Sequence, residues 1–246
     1  MRFDTRTIPN FLSDQEIEII EQTMRDTADV STVFVDNTIG QNPQGHHAET
    51  HSIFLDFPIH WEINKILMPK LRQHFGQNIQ VQASHILNSY YPYGIHTDVM
   101  SAGFDPAGPD LAAWTFIIPL ADYDSHTIVF EQGHDTVKTL SEWIATQNPQ
   151  AHKINDELWY RYLSHCDKLD LQYLDVESIF PWRRGALFAA DRRKFHTSDN
   201  FRRPPQPVQI TNWSMRKNLK SLDLNPLPEA IPVKRAIIIW STVPRQ

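Results

Sequence analysis

Residues 90–98 read YYPYGIHTD, and residues 185–197 read GALFAADRRKFHT. Each stretch has the length of a strand and carries a histidine near its end. Residues two apart in an extended strand project to the same side. His96 and Asp98 can therefore reach one point together, and a second strand can bring His196 to the same point. The two stretches predict a site built from two imidazoles and one carboxylate.

This set of side chains is the ligand pattern of a non-heme Fe(II) centre. Two imidazoles and one carboxylate bind the ion on one face and leave positions open for a cosubstrate and oxygen. A chain with 12 histidines contains the spacing His-x-Asp by chance, so the surroundings matter. Gly94 stands just before the first pair, and Gly185 opens the strand that leads to the distant histidine. We assign His96, Asp98 and His196 as metal ligands and as the catalytic centre.

The wider sequence resembles the 2-oxoglutarate/Fe(II)-dependent dioxygenase superfamily, most nearly its prolyl-4-hydroxylase-like and phytanoyl-hydroxylase-like branches. The resemblance begins at residues 8–16, which look like the family's opening strand and first helix. It continues through an apolar strand at residues 114–120 and closes with a strand near residues 208–213. It implies a mainly β fold with flanking helices, a double-stranded β-helix or jelly-roll barrel of the cupin-like kind.

Composition excludes several other classes of protein. The 246-residue chain has a formal net charge of -6 and no basic stripe that could neutralise phosphates, so nucleic acid is not the expected partner. A single cysteine, Cys166, and the lack of an apolar signal region favour the cytoplasm. No run approaches the ~18 apolar residues of a membrane span. We expect one soluble domain over residues 1–246 and leave its oligomeric state open.

Helical patterns precede and interrupt the predicted strands. Ser13 and Glu16 form a capping box, and the apolar residues after it predict a helix over about residues 14–26. A second helical pattern covers residues 61–75, where Pro69 should kink or restart the helix. Apolar residues at helical spacing also predict an insertion between strands at about residues 133–181. We expect substrate choice to reside there, because long excursions between strands often carry binding surfaces.

The resemblance implies that a basic residue near the start of the last barrel strand pairs with the distal carboxylate of 2-oxoglutarate. Gln206 and Pro207 stand at the usual offset after the distal histidine and cannot supply a cation. The expected anchors are therefore Arg203 first and Arg202 second, because the guanidinium binds a carboxylate through two hydrogen bonds. Both can also be solvated residues beside a proline-rich turn. Two further residues, Tyr91 and Asn88, are candidate cosubstrate contacts on the preceding strand.

The implied reaction is hydroxylation of a C–H bond in a small-molecule or peptide substrate. It uses Fe(II) and O2 and converts 2-oxoglutarate to succinate and CO2. The intact Asp98 argues against halogenation, since halogenating relatives replace this carboxylate, but desaturation stays open. The cluster Arg192-Arg193-Lys194 would suit a substrate carboxylate or be solvated. The main alternative is a non-catalytic, cupin-like metal-binding or sensor protein, and a metal-assisted hydrolase is disfavoured because no further acid or base motif accompanies the triad.

Overall fold

The structure is a computed structural model of the chain. It describes residues 3–27, 33–36, 48–89, 92–99, 112–134, 140–152, 155–199, 201 and 234–243. Within these residues the helices are α1 (Asp14–Asp26), α2 (Trp61–Phe75), α3 (Leu140–Gln147) and α4 (Asp156–Leu158). The strands are β1 (Arg6–Ile8), β2 (Val33–Asp36), β3 (Ala48–Ser52), β4 (Gln80–Ser89), β5 (Ala112–Pro119), β6 (His126–Gly133), β7 (Val176–Pro181), β8 (Leu187–Asp191), β9 (Lys194–Ser198) and β10 (Lys234–Thr242).

Helices α1 and α2 lie where the sequence predicts them. The Ser13 hydroxyl accepts a hydrogen bond from the Glu16 backbone N–H, and the Glu16 carboxylate accepts one from the Ser13 backbone N–H, so both halves of the capping box are present. Helix α2 runs through Pro69 as one helix, so of the predicted kink or restart, the restart is wrong. The buried faces of both helices pack on the larger sheet.

The described strands form two antiparallel sheets. The larger has the order β1-β8-β5-β10-β4-β3-β2, and the smaller has the order β7-β6-β9. Buried side chains from both sheets, among them Ile117, Ile238, Val129 and Phe180, pack together, so the sheets face each other. They remain two separate sheets in the described part of the chain and do not close into a continuous barrel.

Strand β10 lies at the centre of the larger sheet, between β5 and β4. Its residues alternate between the two faces: Ile237 and Ile239 pack toward the helices, whereas Ala236 and Ile238 pack between the sheets. The strand expected near residues 208–213 lies outside the described residues. The last described strand therefore begins at Lys234, and alternation points its side chain into the space between the sheets.

The predicted insertion packs on the outer face of the smaller sheet. Leu140, Leu163 and Leu171 contact Phe130 and Phe195 in one buried cluster. Helix α4 continues as a π-helical turn over Trp159–Leu163, and a 3-10 turn follows over Asp170–Tyr173. The insertion is shorter than predicted, since residues 176–181 form the edge strand β7. These residues carry the apolar side chains of a sheet strand rather than a helical repeat.

A glycine makes the turn into β8 possible. Gly185 has φ of 72°, and an added Cβ would lie 2.4 Å from the carbonyl oxygen of Leu12. The Leu12 backbone N–H also donates to the Gly185 carbonyl at 2.8 Å. Any larger residue would be strained here and would push away the segment that leads into α1. This turn sets the start of the strand pair β8–β9, which carries His196.

Candidate metal centre

Backbone pairing brings the two motifs together. His96 and His196 form an isolated antiparallel bridge, in which each backbone N–H donates to the other's carbonyl, at 3.1 and 2.9 Å. Residues 92–99 therefore lie beside β9 at the edge of the smaller sheet. The Asp98 backbone N–H donates to the Arg192 carbonyl at 2.9 Å, which holds this segment further along. The predicted convergence of the two segments is present, but residues 92–99 do not form the predicted strand and pair with β9 only through the single bridge at His96.

The three side chains form one compact cluster. His196 Nε2 lies 3.3 Å from Asp98 Oδ2, and His96 Nε2 lies 3.8 Å from Asp98 Oδ1. One nitrogen or oxygen from each residue lies within 4.8 Å of the others, and no other group of this kind occurs among the described residues. The His96 side chain is 25% exposed, whereas those of Asp98 and His196 are 8% and 10% exposed. The cluster is therefore accessible from the side of His96.

Hydrogen bonds orient both imidazoles. His96 Nδ1 lies 2.7 Å from the Gly94 carbonyl, and His196 Nδ1 lies 3.1 Å from the Lys194 carbonyl. A carbonyl oxygen only accepts, so Nδ1 carries the proton in each bond. In the neutral imidazole, Nε2 is then the nitrogen that can bind a metal, and such outer hydrogen bonds fix the ring of a ligating histidine. The donor set and its orientation fit a divalent cation.

Electrostatics favour an ionised carboxylate at the centre of the cluster. Burial raises the pKa of Asp98, but the neighbouring His196 and His96 and a hydrogen bond from the Thr115 hydroxyl together hold this pKa well below its usual range. Burial likewise opposes charge on His196, yet Asp98 raises the pKa of this imidazole above its ordinary value. A cation that binds here displaces the proton from His196, as metal sites commonly require.

The larger sheet supplies a wall beside Asp98. Thr115 on β5 donates its hydroxyl proton to Asp98 Oδ2, and Trp240 on β10 stands directly opposite Thr115 in the sheet register. The Trp240 indole N–H is buried and has no hydrogen-bond acceptor in the described part of the chain. Its ring lies 5.4 Å from that of His85, whose pKa is lowered to about 4 by burial, against an opposing effect of Asp98. His85 is therefore neutral near pH 7.

Of the four predicted cosubstrate residues, only Asn88 lies within the described part of the chain. Arg203, Arg202 and Tyr91 lie outside the described residues. Asn88 is on β4 and follows Leu87, which packs between the sheets. Strand alternation places Asn88 on the opposite face, toward the helices, in register with Arg235. The structure does not bring Asn88 to the metal cluster.

Sequence reasoning missed a buried lysine at the start of β10. Lys234 is 2% exposed, and its Nζ lies 4.1 Å from the centre of the Trp182 ring and 4.8 Å from that of Phe201. Nζ also lies 3.4 Å from the His126 carbonyl oxygen. No carboxylate oxygen of a described residue lies within 4 Å of this ammonium group. Burial lowers the pKa of Lys234 to about 7, although Asp199 opposes the shift.

Lys234 and the distal histidine of the metal cluster, His196, both face the space between the two sheets, since Lys234 is in phase with Ala236 and His196 pairs with Val129. The Asp199 backbone N–H donates to the His126 carbonyl, the same oxygen that faces Lys234 Nζ. Asp199 is three residues beyond His196 along the chain, which corresponds to about 10 Å of extended strand. A signal for Lys234 exists in the sequence: it is in phase with Ala236, Ile238 and Trp240, the inward positions of an otherwise apolar strand.

Solved structures match nearly the whole chain. The non-heme alpha ketoglutarate dependent epimerase SnoN from nogalamycin biosynthesis matches with a TM-score of 0.54 and 11% identity, over 98% of this chain and 79% of its own. SnoN has also been solved in complex with Fe3+, alpha ketoglutarate and nogalamycin RO, with a TM-score of 0.52, 11% identity and coverages of 98% and 80%. A 2OG-Fe(II) oxygenase family oxidoreductase from Burkholderia pseudomallei gives 0.52 and 11%, with coverages of 97% and 84%.

These matches establish the fold. The chain has the jelly-roll fold that 2-oxoglutarate/Fe(II) oxygenases share, and the predicted fold class is confirmed. No model of a known protein family matches the sequence, and no curated protein matches it significantly. In the described residues, no helix has both the length and the apolar character that crossing a membrane requires.

Proposed function

We propose that this protein is a non-heme Fe(II)- and 2-oxoglutarate-dependent oxygenase that hydroxylates a C–H bond of a small-molecule or peptide substrate. The observation that carries the proposal is the convergence of His96, Asp98 and His196 into one cluster, within a fold used by such oxygenases. The family resemblance of the two motifs supports the same conclusion. The single cysteine, Cys166, supports a cytoplasmic location, because it allows no internal disulfide.

The three ligands have separate roles in this proposal. His96 and His196 present Nε2 to the iron, and Asp98 presents one carboxylate oxygen. The Thr115 hydroxyl orients the carboxylate by occupying one of its oxygens. When bound, Fe(II) with 2-oxoglutarate and O2 supplies the oxidation chemistry, in which 2-oxoglutarate is decarboxylated to succinate. The protein contributes binding, orientation and exclusion of water.

Lys234 is the residue best suited to hold the distal carboxylate of 2-oxoglutarate. It is a buried cation without a carboxylate partner among the described residues, and such a charge is costly unless a ligand supplies the opposite charge. It stands at the start of the central strand, where the family resemblance implies a basic residue. A five-carbon dicarboxylate between Lys234 and the metal cluster would satisfy both ends of the space. Arg203 and Arg202 lie outside the described residues and remain the alternatives.

The test is iron-dependent formation of succinate. Purified protein should convert 2-oxoglutarate to succinate when Fe(II) and O2 are supplied, and screening amino acids, peptides and lipid-like acids should reveal a substrate that stimulates this turnover. Asp98→Ala protein is the control, because it lacks one ligand but keeps the apolar core. Absence of succinate in the wild-type protein across the screen would contradict the proposed activity.

A non-catalytic metal-binding or sensor protein is the alternative function. Its main support from sequence was the lack of a cation at the usual offset beyond His196. The buried Lys234 weakens that support, because it offers a cation at the start of the last described strand. Metal binding without any affinity for 2-oxoglutarate would favour this alternative.

A further inference from the structure

The turn between β8 and β9 carries a run of charged residues into the protein interior. Asp191, Arg192, Arg193 and Lys194 are all buried, with exposures of 1%, 0%, 6% and 8%. This turn is also the point where the chain passes from the larger sheet to the smaller one. The sequence predicts that this cluster either binds a substrate carboxylate or is solvated, and the burial of its side chains fits neither role. Their side chains serve contacts inside the protein.

Arg193 and Lys194 each bind a carboxylate close to the turn. Arg193 donates from Nε and Nη2 to the Asp191 carboxylate, and the Asp191 carboxylate also accepts the Phe3 backbone N–H. Lys194 Nζ lies 2.5 Å from Glu177 Oε2 on β7. These pairs tie the turn to its own neighbours. Neither pair includes the Asp98 segment.

Arg192 contacts the Asp98 segment directly. Its Nη2 donates to the Asp98 carbonyl at 2.9 Å, and its Nε lies 3.3 Å from the same oxygen. Its Nη1 donates to Gln82 Oε1 on β4 and lies 3.3 Å from the Ser241 carbonyl on β10. One guanidinium therefore joins the Asp98 segment to two strands of the larger sheet.

Arg192 binds both the backbone N–H and the backbone carbonyl of Asp98. The Asp98 N–H donates to the Arg192 carbonyl at 2.9 Å, while the Asp98 carbonyl accepts from the Arg192 side chain. The planar fork of a guanidinium fixes direction as well as distance, which a flexible ammonium does not. With its backbone held on both sides, Asp98 can present its carboxylate in one orientation.

We propose that Arg192 is a positioning residue, which sets the metal affinity of the cluster by fixing the backbone of Asp98. The inference rests on the proposed metal centre and extends it to a residue that touches neither the metal nor 2-oxoglutarate. Residues that orient metal ligands typically change metal affinity by about 10- to 100-fold when they are lost. The same range is expected here, with the main effect on metal binding.

The experiment compares Arg192→Gln with Arg193→Gln in the full chain. Co(II) is the probe: its visible absorption reports both binding and ligand geometry, and thermal unfolding of the metal-free proteins reports stability. Arg193 is the matched control, because it is also a buried arginine of the same turn but binds Asp191. We expect Arg192→Gln to weaken Co(II) binding about 10- to 100-fold and to alter the absorption spectrum. Arg193→Gln should lower the unfolding temperature while it keeps the wild-type Co(II) affinity and spectrum.

One further variant, Arg192→Lys, covers the case in which Arg192→Gln fails to fold. Arg192→Lys keeps a charge but cannot make the forked contact, so its Co(II) affinity should fall between those of wild type and Arg192→Gln. Equal affinity for Co(II) in wild type and Arg192→Lys, or an equal loss in both Gln variants, would overturn the positioning role. Failure of the wild-type protein to bind Co(II) would instead refute the metal centre itself. The two failures are therefore distinguishable.

Discussion

The two ends of the intersheet space differ in how their charges are balanced. At one end, Asp98 lies between two histidines and accepts a hydrogen bond from Thr115, so its negative charge has partners within the protein. At the other end, the Lys234 ammonium lies against two aromatic rings, with no carboxylate of the described residues within 4 Å. The first end is organised around an anion that can hold a metal. The second is organised around a cation, to which the proposed function assigns the distal carboxylate of 2-oxoglutarate.

The difference agrees with the two roles proposed for these ends, a metal site and a site for a carboxylate. A metal ion binds readily where its ligands are already held together, and one backbone bridge holds His96 and His196 in this way. A site for a ligand carboxylate instead keeps a cation desolvated until the ligand supplies the charge, and aromatic rings stabilise that cation meanwhile. The two roles can be separated by substitution, since loss of one end should leave the other end folded.

The largest effect should come from removal of Asp98. Asp98→Ala should reduce succinate formation by at least about 1000-fold, because the two remaining histidines would have to hold Fe(II) without an anionic protein ligand. Turnover of 2-oxoglutarate is the measurement, and circular dichroism checks that the fold persists. Activity within tenfold of wild type would exclude Asp98 as a ligand.

The second-largest effect should come from removal of the Lys234 ammonium group. Loss of one partner from a buried charge pair costs about 3 to 5 kcal/mol. At about 1.4 kcal/mol per tenfold, Lys234→Met should therefore weaken 2-oxoglutarate binding by at least about 100-fold. Calorimetric titration measures the change, and Co(II) affinity should stay near that of wild type.

The neighbouring Arg235 supplies a matched control for Lys234. Arg235 points to the other face of β10, where its Nη1 lies 3.6 Å from Glu21 Oε1. Arg235→Met should leave 2-oxoglutarate affinity nearly unchanged. Equal effects of the two substitutions would mean that general positive charge, rather than the position of Lys234, determines binding.

A smaller effect is expected for Thr115. Thr115→Val keeps the shape of the side chain but removes the hydroxyl that binds Asp98. Co(II) affinity should fall by about 10- to 100-fold, the usual range for a residue that orients a ligand. The affinity for 2-oxoglutarate in the absence of metal should not change. A variant whose Co(II) affinity matches wild type would show that Asp98 needs no such orientation.

The smallest effect is a pH dependence of 2-oxoglutarate binding. Burial lowers the pKa of Lys234 from about 10.5 to about 7, so the free protein loses this charge above pH 7. A bound carboxylate favours the charged form, so binding above pH 7 takes up a proton, and the apparent dissociation constant should rise by up to about tenfold per pH unit. Titrations at pH 8 in buffers of different ionisation enthalpy measure the uptake, which Lys234→Met should abolish.

The lowered pKa of Lys234 also determines the direction in which the free energy of unfolding changes with pH. Between about pH 7 and pH 10.5, the unfolded chain binds the lysine proton and the folded chain does not. The free energy of unfolding of the ligand-free protein should therefore rise with pH across this window from the contribution of Lys234. In Lys234→Met this contribution should be absent. A comparison of denaturant unfolding at pH 7 and pH 9 for the two proteins checks it.

Sequence spacing predicts the metal end well and the cation end poorly, for a physical reason. His96 and Asp98 stand in one short stretch of sequence, so the motif can be read directly, although residues 92–99 are held by backbone bonds to His196 and Arg192 and do not form a strand. The position of Lys234 depends on which segment becomes the central strand, and Lys234 lies 234 - 196 = 38 positions beyond His196. A family offset does not point to a residue that far along the chain, so the sequence alone does not single out Lys234. The predictions for Arg203 and Arg202 concern residues outside the described part of the chain.

The charged turn at residues 191–194 illustrates a second limit. A run of Arg and Lys usually lies on a solvated surface. Here the partners that permit burial come from distant positions, such as Glu177 for Lys194 and Gln82 for Arg192. The helices, by contrast, follow from local signals, since the Ser13 cap and the apolar periodicity define α1 without any knowledge of the sheet.

The most direct test of the account is an anaerobic titration of the Fe(II)-loaded protein with 2-oxoglutarate, followed by visible absorption. Chelation of Fe(II) by 2-oxoglutarate produces a charge-transfer band only when both bind at one site. We expect the band in wild type, its loss in Asp98→Ala, and its appearance in Lys234→Met only at 2-oxoglutarate concentrations at least about 100-fold higher. No band in the wild-type protein, or an identical titration in Lys234→Met, would contradict the account of a metal triad facing a lysine anchor.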